Sequence, residues 1–119
     1  MGYMFNNCPN LTSIDVSNFN TQNVTDMSNL FYKCSSLTSI NISNFNTQNV
    51  EKMNKMFSSC SKLSYIDISN FTFKNIENMK NLFNGLPDSG TIKIKEEYKD
   101  IIKEILINWE INNISQIYL

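Results

Sequence analysis

Leu11, Ile14, Val16, Phe19, Val24, Met27, Leu30, Phe31 and Cys34 carry the apolar positions of one stretch of chain, and polar residues fill the gaps. The same kinds of residue return 26 positions later, at Leu37, Ile40, Ile42, Phe45, Val50, Met53, Met56, Phe57 and Cys60, and again from Leu63 to Phe83. A unit this small cannot bury its own apolar face. A fixed period therefore predicts units stacked on one another as a solenoid.

Within a unit, the Leu11-x-x-Ile14-x-Val16 spacing sends alternate residues inward while Ser13, Asp15 and Ser17 point outward, which predicts a short parallel strand. Asn18-Phe19-Asn20-Thr21-Gln22-Asn23 follows, dense in side chains that bond nearby backbone and favour turns or caps. Val24, Met27, Leu30, Phe31 and Cys34 are spaced close to a helical stripe, with Asn23 or Thr21 as N-cap, so a short outer helix is predicted. Successive strands should stand about 4.8 Å apart, giving a stack only about 15 Å long.

The fourth unit departs from the rule. Phe83 is kept, Leu86 replaces the cysteine, and Thr91-Ile92-Lys93-Ile94 takes the strand position. Beyond it the period fails. Tyr98, Ile101, Ile102, Ile105 and Leu106 form one apolar helical face with Lys99, Asp100, Lys103 and Glu104 opposite. Glu96 to about Ile111 reads as a C-terminal cap, with Trp109-Glu110-Ile111 as a further strand, since a stack must end in an atypical element with a polar outer face. The fold class expected is α/β: a leucine-rich-repeat solenoid with a short parallel sheet, short outer helices and a helical and strand cap. Residues 1–94 hold the repeats, the first incomplete, and residues 95–119 the cap and tail.

Met4-Phe5-Asn6-Asn7-Cys8 matches the end of the series at Leu30 to Cys34, so the chain reads as the C-terminal piece of a longer protein with any export signal upstream. Phe5, Cys8, Leu11 and Ile14 would then leave an apolar end and an unpaired edge, and self-association is expected there.

The repeated blocks S-N-F-N-T-x-N-V and M-x-x-L/M-F-x-x-C, over roughly Met4 to Ile94, resemble the BspA-like leucine-rich repeat surface proteins, the bacterial surface protein 26-residue repeat family. That resemblance implies a secreted or cell-surface location and adhesion to host proteins or other cells. It does not imply which ligand.

Composition narrows the chemistry. The chain has 119 residues, 41% of them hydrophobic, a net charge of −1 and no histidine; its ten basic residues are all lysines and are scattered. No footprint for nucleic acid or an anionic membrane is visible, and no run is apolar enough to span a bilayer. Without histidine or arginine, the commonest general base, metal ligand and phosphate clamp are missing. No enzyme activity, cofactor or metal is expected.

Cys8, Cys34 and Cys60 read as a stacked apolar ladder, although a strand spacing near 4.8 Å lies inside the Cα range of a disulfide. Leu86-Pro87-Asp88-Ser89-Gly90 is similar to a cell-wall sorting signal but has ordinary turn composition. The asparagine columns Asn18/Asn44/Asn70 and Asn23/Asn49/Asn75 read as corner residues that satisfy backbone groups. Asn23-Val24-Thr25 and Asn70-Phe71-Thr72 match the glycosylation pattern, which is too short to decide anything. Asp15, Asp67 and Glu77 offer no close carboxylate pair and read as solvated.

The outward strand face remains, formed by Ser13, Asp15, Ser39, Asn41, Tyr65, Asp67 and Lys93. Such faces are what repeat proteins use to bind, and Tyr65 is the best single anchor. A noncatalytic module docking a protein partner on this face is the first reading. A purely structural segment of a longer array, with its binding residues upstream, is the second.

Overall fold

The computed structural model describes residues 1–74, 79–87, 90–105 and 117–118. Among those up to Lys93, residues one period apart lie side by side. The rings of Phe5, Phe31, Phe57 and Phe83 stand in single file, with centroids 5.7, 5.8 and 6.1 Å apart and neighbouring planes within 12° of parallel. A backbone separation near 4.8 Å is shorter than these distances, so the rings slip sideways into the offset stack that the aromatic quadrupole favours. Around this file Met27, Leu30, Cys34, Leu37, Met56, Cys60 and Leu63 are buried to within 1% of full enclosure. Burying each large side chain is worth about 1.5–3 kcal/mol, which makes the seams between coils the core.

The strands lie on one limb, in the later coils only. β1 (Tyr65–Asp67) and β2 (Thr91–Lys93) pair in parallel, with Tyr65 opposite Thr91, Ile66 opposite Ile92 and Asp67 opposite Lys93. β3 (Ile117–Tyr118) adds to β2 in the same sense. In the first two coils the corresponding limb forms no regular strand, and a bond from Thr38 N–H to the Thr12 carbonyl at 3.3 Å links them.

The opposite limb differs from the helix expected over Val24 to Cys34. It is a ribbon of successive turns, closed in the second coil by Leu30 N–H to Met27 O, Tyr32 N–H to Asn29 O and Cys34 N–H to Phe31 O. The cause is a left-handed backbone at two positions four residues apart in every coil: Tyr3 and Asn7, Asn29 and Lys33, Lys55 and Ser59, Asn81 and Gly85, with φ between 57° and 80°. No right-handed helix passes through such residues. The turns free alternate N–H groups to point along the stack. Met27, Asn29, Phe31 and Lys33 donate to the carbonyls of Lys52, Asn54, Met56 and Ser58 at 2.8–2.9 Å. Tyr3, Phe5 and Asn7 donate likewise to Ser28, Leu30 and Tyr32, and Lys55, Phe57 and Ser59 to Lys80, Leu82 and Asn84.

After β2 the chain forms a 3-10 turn (Glu96–Tyr98) and then α1 (Lys99–Ile105). Phe73 occupies the column of Thr21 and Thr47, and its ring meets the edge of Tyr98 at 5.2 Å and 80°, which docks the cap on the last coil. Ile102 is fully buried. The strand expected at Trp109 to Ile111 lies outside the described residues, as do Asn75, Glu77 and Leu106; the strand that is present farther on is β3.

Candidate functional site

In three successive coils the chain leaves this limb through a turn fixed by its own side chains. Asp15 Oδ1 accepts from both the backbone N–H and the hydroxyl of Ser17, at 3.0 and 2.6 Å. Asn41 does the same with Ser43 at 3.1 and 2.7 Å, and Asp67 with Ser69 at 2.9 and 2.6 Å. Three of the outward residues singled out from the sequence are therefore anchors of local turns first. The pattern was readable as Asp/Asn-x-Ser, a spacing at which a side-chain oxygen reaches the backbone two residues on. Asp26 and Ser28 repeat it on the opposite limb.

These bonds also set the charges. The Ser17 hydroxyl and N–H hold the exposed Asp15 carboxyl below its ordinary 3.8. For Asp67, burial pushes the carboxyl up, but the two Ser69 bonds and the Lys93 charge opposite outweigh it and bring it below 3.8.

Ser13, Asp15, Ser39 and Asn41 are exposed on the first two coils; Asp67 and Lys93 are half-buried on β1 and β2, in direct register. Tyr65, 42% exposed, stands beside this pair at the start of β1. The sheet thus brings Tyr65, Asp67 and Lys93 together. Ser13 and Ser39 lie on the same column outside any regular strand.

The asparagine corners are used internally. Asn44 Nδ2 donates to the carbonyls of Val16, Ser17 and Phe19 at 2.9–3.2 Å, and Asn70 Nδ2 to those of Ile42, Ser43 and Phe45 at 2.7–3.3 Å. Thr21 and Thr47, buried, pass a second chain of bonds upward: Asn46 N–H to Thr21 Oγ1 at 2.7 Å and Thr72 N–H to Thr47 Oγ1 at 2.8 Å.

The cysteines are free thiols. Cys34 and Cys60 each donate to a carbonyl 29 residues earlier, that of Phe5 or Phe31, at 3.1 Å. Burial, with Cys34 nearby, pushes the Cys60 thiol up to about 12. A thiol held protonated in this way is neither nucleophile nor metal ligand at neutral pH. Among the described residues no three His, Cys, Asp or Glu side chains converge on a cation position.

Two surface features had no clear signal in the sequence. Lys33 and Lys55 both lie over the Tyr32 ring, 5.2 and 5.6 Å from its centroid. A shallow cleft of about 400 Å³ runs across the coils between the columns of Asn7, Lys33, Ser59 and Gly85 and of Ser35 and Ser61. In the turn ending at Gly90, whose N–H reaches the Pro87 carbonyl at 2.9 Å, residues 88 and 89 lie outside the described residues. No described helix is long and apolar enough to cross a membrane.

The geometry is that of residues 26 apart lying side by side, with Tyr65, Asp67 and Lys93 together on one exposed to half-buried face. The chain belongs to the family described as "Mycoplasma protein of unknown function, DUF285", which matches residues 1–118. No curated protein and no solved structure matches the chain.

Proposed function

We propose that the chain is a noncatalytic protein-binding module of a leucine-rich-repeat solenoid, in a secreted or cell-surface protein of the BspA-like kind that acts in adhesion. The observation that carries this reading is Tyr65. It is a large aromatic left 42% exposed on the sheet, flanked by the registered carboxylate of Asp67 and ammonium of Lys93. An exposed aromatic among small polar neighbours is the composition of an interface anchor, because it offers large contact area at low conformational cost. The reading of adhesion and of location rests on the repeat blocks described above.

The test is capture on a panel of purified extracellular-matrix proteins, comparing the native chain with Tyr65→Ala and with Tyr65→Ala, Lys93→Ala. Asp67 is left intact because it holds the Ser69 turn. Loss of about tenfold in affinity, roughly 1.4 kcal/mol, is expected for a central aromatic anchor. Unchanged capture by a folded double variant would remove this face from the function.

A further inference from the structure

The turn limb gathers charge that the sequence scatters. Lys33 and Lys55 belong to successive coils and to different columns, yet their ammonium groups stand 5.2 and 5.6 Å from the centroid of one ring, that of Tyr32. Both lysines are exposed, and among the described residues neither forms an ion pair with a carboxylate. Both also hold a left-handed backbone, with φ 61° and 58°, in columns where Asn7, Asn29, Asn81 and Gly85 stand in other coils. Lysine enters that region less readily than asparagine or glycine, so the turn geometry does not account for these two residues.

Lys33 also lines the cleft of about 400 Å³, with Asn7, Ser59 and Gly85 in its own column and Ser35 and Ser61 in the next. Because its walls recur with the period, the cleft opens sideways from the stack, and a further coil placed on the first would lengthen it rather than cover it. The polar groups it offers are short hydroxyls. That of Ser61 reaches the Ser35 carbonyl at 3.4 Å, and among the described residues those of Ser35 and Ser59 bond to no protein group.

These groups select a ligand. A peptide adding itself as a strand needs open backbone, and the N–H groups of Lys33 and Ser59 are already bonded to the Ser58 and Asn84 carbonyls at 2.9 and 2.6 Å. A single-stranded nucleic acid needs free rings for its bases, and Tyr32 is covered by two lysines. A net charge of −1 also disfavours any dense polyanion. Serine hydroxyls suit the hydroxyls of a sugar, and two ammonium groups held in advance on one ring suit a sparse carboxylate, with less freedom left to lose on binding. A pyranose advances a polysaccharide by about the step of one coil, so hydroxyls that repeat coil by coil can meet successive sugars. We infer that this cleft binds an acidic polysaccharide of the uronate type, laid along the stack with a carboxylate on Lys33 and Lys55.

The experiment is a proton–nitrogen NMR titration of the full 119-residue chain with a hexasaccharide that alternates glucuronate and N-acetylglucosamine. A neutral N-acetylglucosamine hexasaccharide and an oligothymidylate run beside it. Expected are saturable shifts at the amides of Lys33, Ser35, Ser59 and Ser61, and no binding of the neutral sugar. Affinity should fall about tenfold in the Lys33→Gln, Lys55→Gln variant and stay near native in Lys33→Arg, Lys55→Arg. No saturable shift with the uronate, equal binding of the neutral sugar, tighter binding of oligothymidylate, or a folded glutamine variant that binds as well as the native chain would each overturn the proposal. The shifts in the native chain decide the matter by themselves should a variant not fold. The role of Tyr65, on the strand limb, stands or falls separately.

Discussion

Cys60 donates its Sγ–H to the carbonyl oxygen of Phe31, 3.1 Å away and 29 residues earlier in the chain. The bond ties two adjacent coils through their core, at the very position where Leu86 later takes over. It makes the thiol part of the packing, and its titration a probe of the fold.

In the unfolded chain this thiol loses its proton near 9.0, but in the folded protein not until about 12. Between those values the unfolded state binds fewer protons, so stability falls as pH rises, by roughly 1.4 kcal/mol per unit, and is fully present below pH 9. Urea titrations from pH 8 to 11 should show this slope, and Cys60→Val should reduce it, leaving the part due to Cys34, whose thiol burial also pushes up. A native protein equally stable across that range would refute the buried thiol.

On the acid side the sign is opposite. Asp15, Asp26 and Asp67 are all held below 3.8 by their serine partners, with Lys52 and Lys93 assisting the last two against burial. Their contribution is complete above the ordinary carboxyl range and is lost as pH falls through the folded values. Asp67→Asn should keep the turn, because Asn41 already forms it with Ser43, while reducing the loss of stability in acid. Thermal melts of both proteins from pH 5 to 2 provide the comparison.

Gly85 has φ +80°, and a Cβ there would stand 3.1 Å from Ser59 Cα and 3.2 Å from Ser59 N. Gly85→Ala should therefore cost about 1–2 kcal/mol, from left-handed strain with the close approach added. Asparagine, which tolerates this backbone region better than branched residues, should be milder than Gly85→Val. Chemical denaturation of the three variants should rank Asn above Val.

Thr47, 1% exposed, accepts the Thr72 N–H at 2.8 Å. Thr47→Val conserves shape but leaves that donor unpaired, at a cost of about 1–3 kcal/mol, whereas Thr47→Ser keeps the hydroxyl and loses only a methyl. If Val proves as stable as Ser, the threonine chain between coils contributes nothing.

Much of this architecture was legible in the letters because the period made each column a repeated measurement of one environment. Phe5, Phe31, Phe57 and Phe83 share a stack, and Asn44 and Asn70 share a set of carbonyl partners one coil apart. The outer helix was misread because Val24, Met27, Leu30, Phe31 and Cys34 keep the same spacing in a ribbon of turns as on a helical stripe. The signal against a helix sat in the polar columns between them. Asn7, Asn29, Asn81 and Gly85 are the residue types that accept a left-handed backbone, but Tyr3, Lys33, Lys55 and Ser59 in the same columns masked it. On the candidate face, Tyr65 and Lys93 could be placed by counting from strand to strand. The turn-anchoring use of Asp15, Asn41 and Asp67 could have been placed as well, from the serine two residues after each.

Because like sits beside like at a step of 26, the molecule is indifferent to which copy of a unit it holds. Excising residues 27–52 as a block would set Phe57 directly on Phe5 and Cys60 on Cys8, restoring every column one storey shorter. Deleting a single residue from the same stretch would slide all that follows out of line. Genetic changes in length should therefore survive as whole multiples of the unit, and a population of such genes should differ in height while sharing one cross-section.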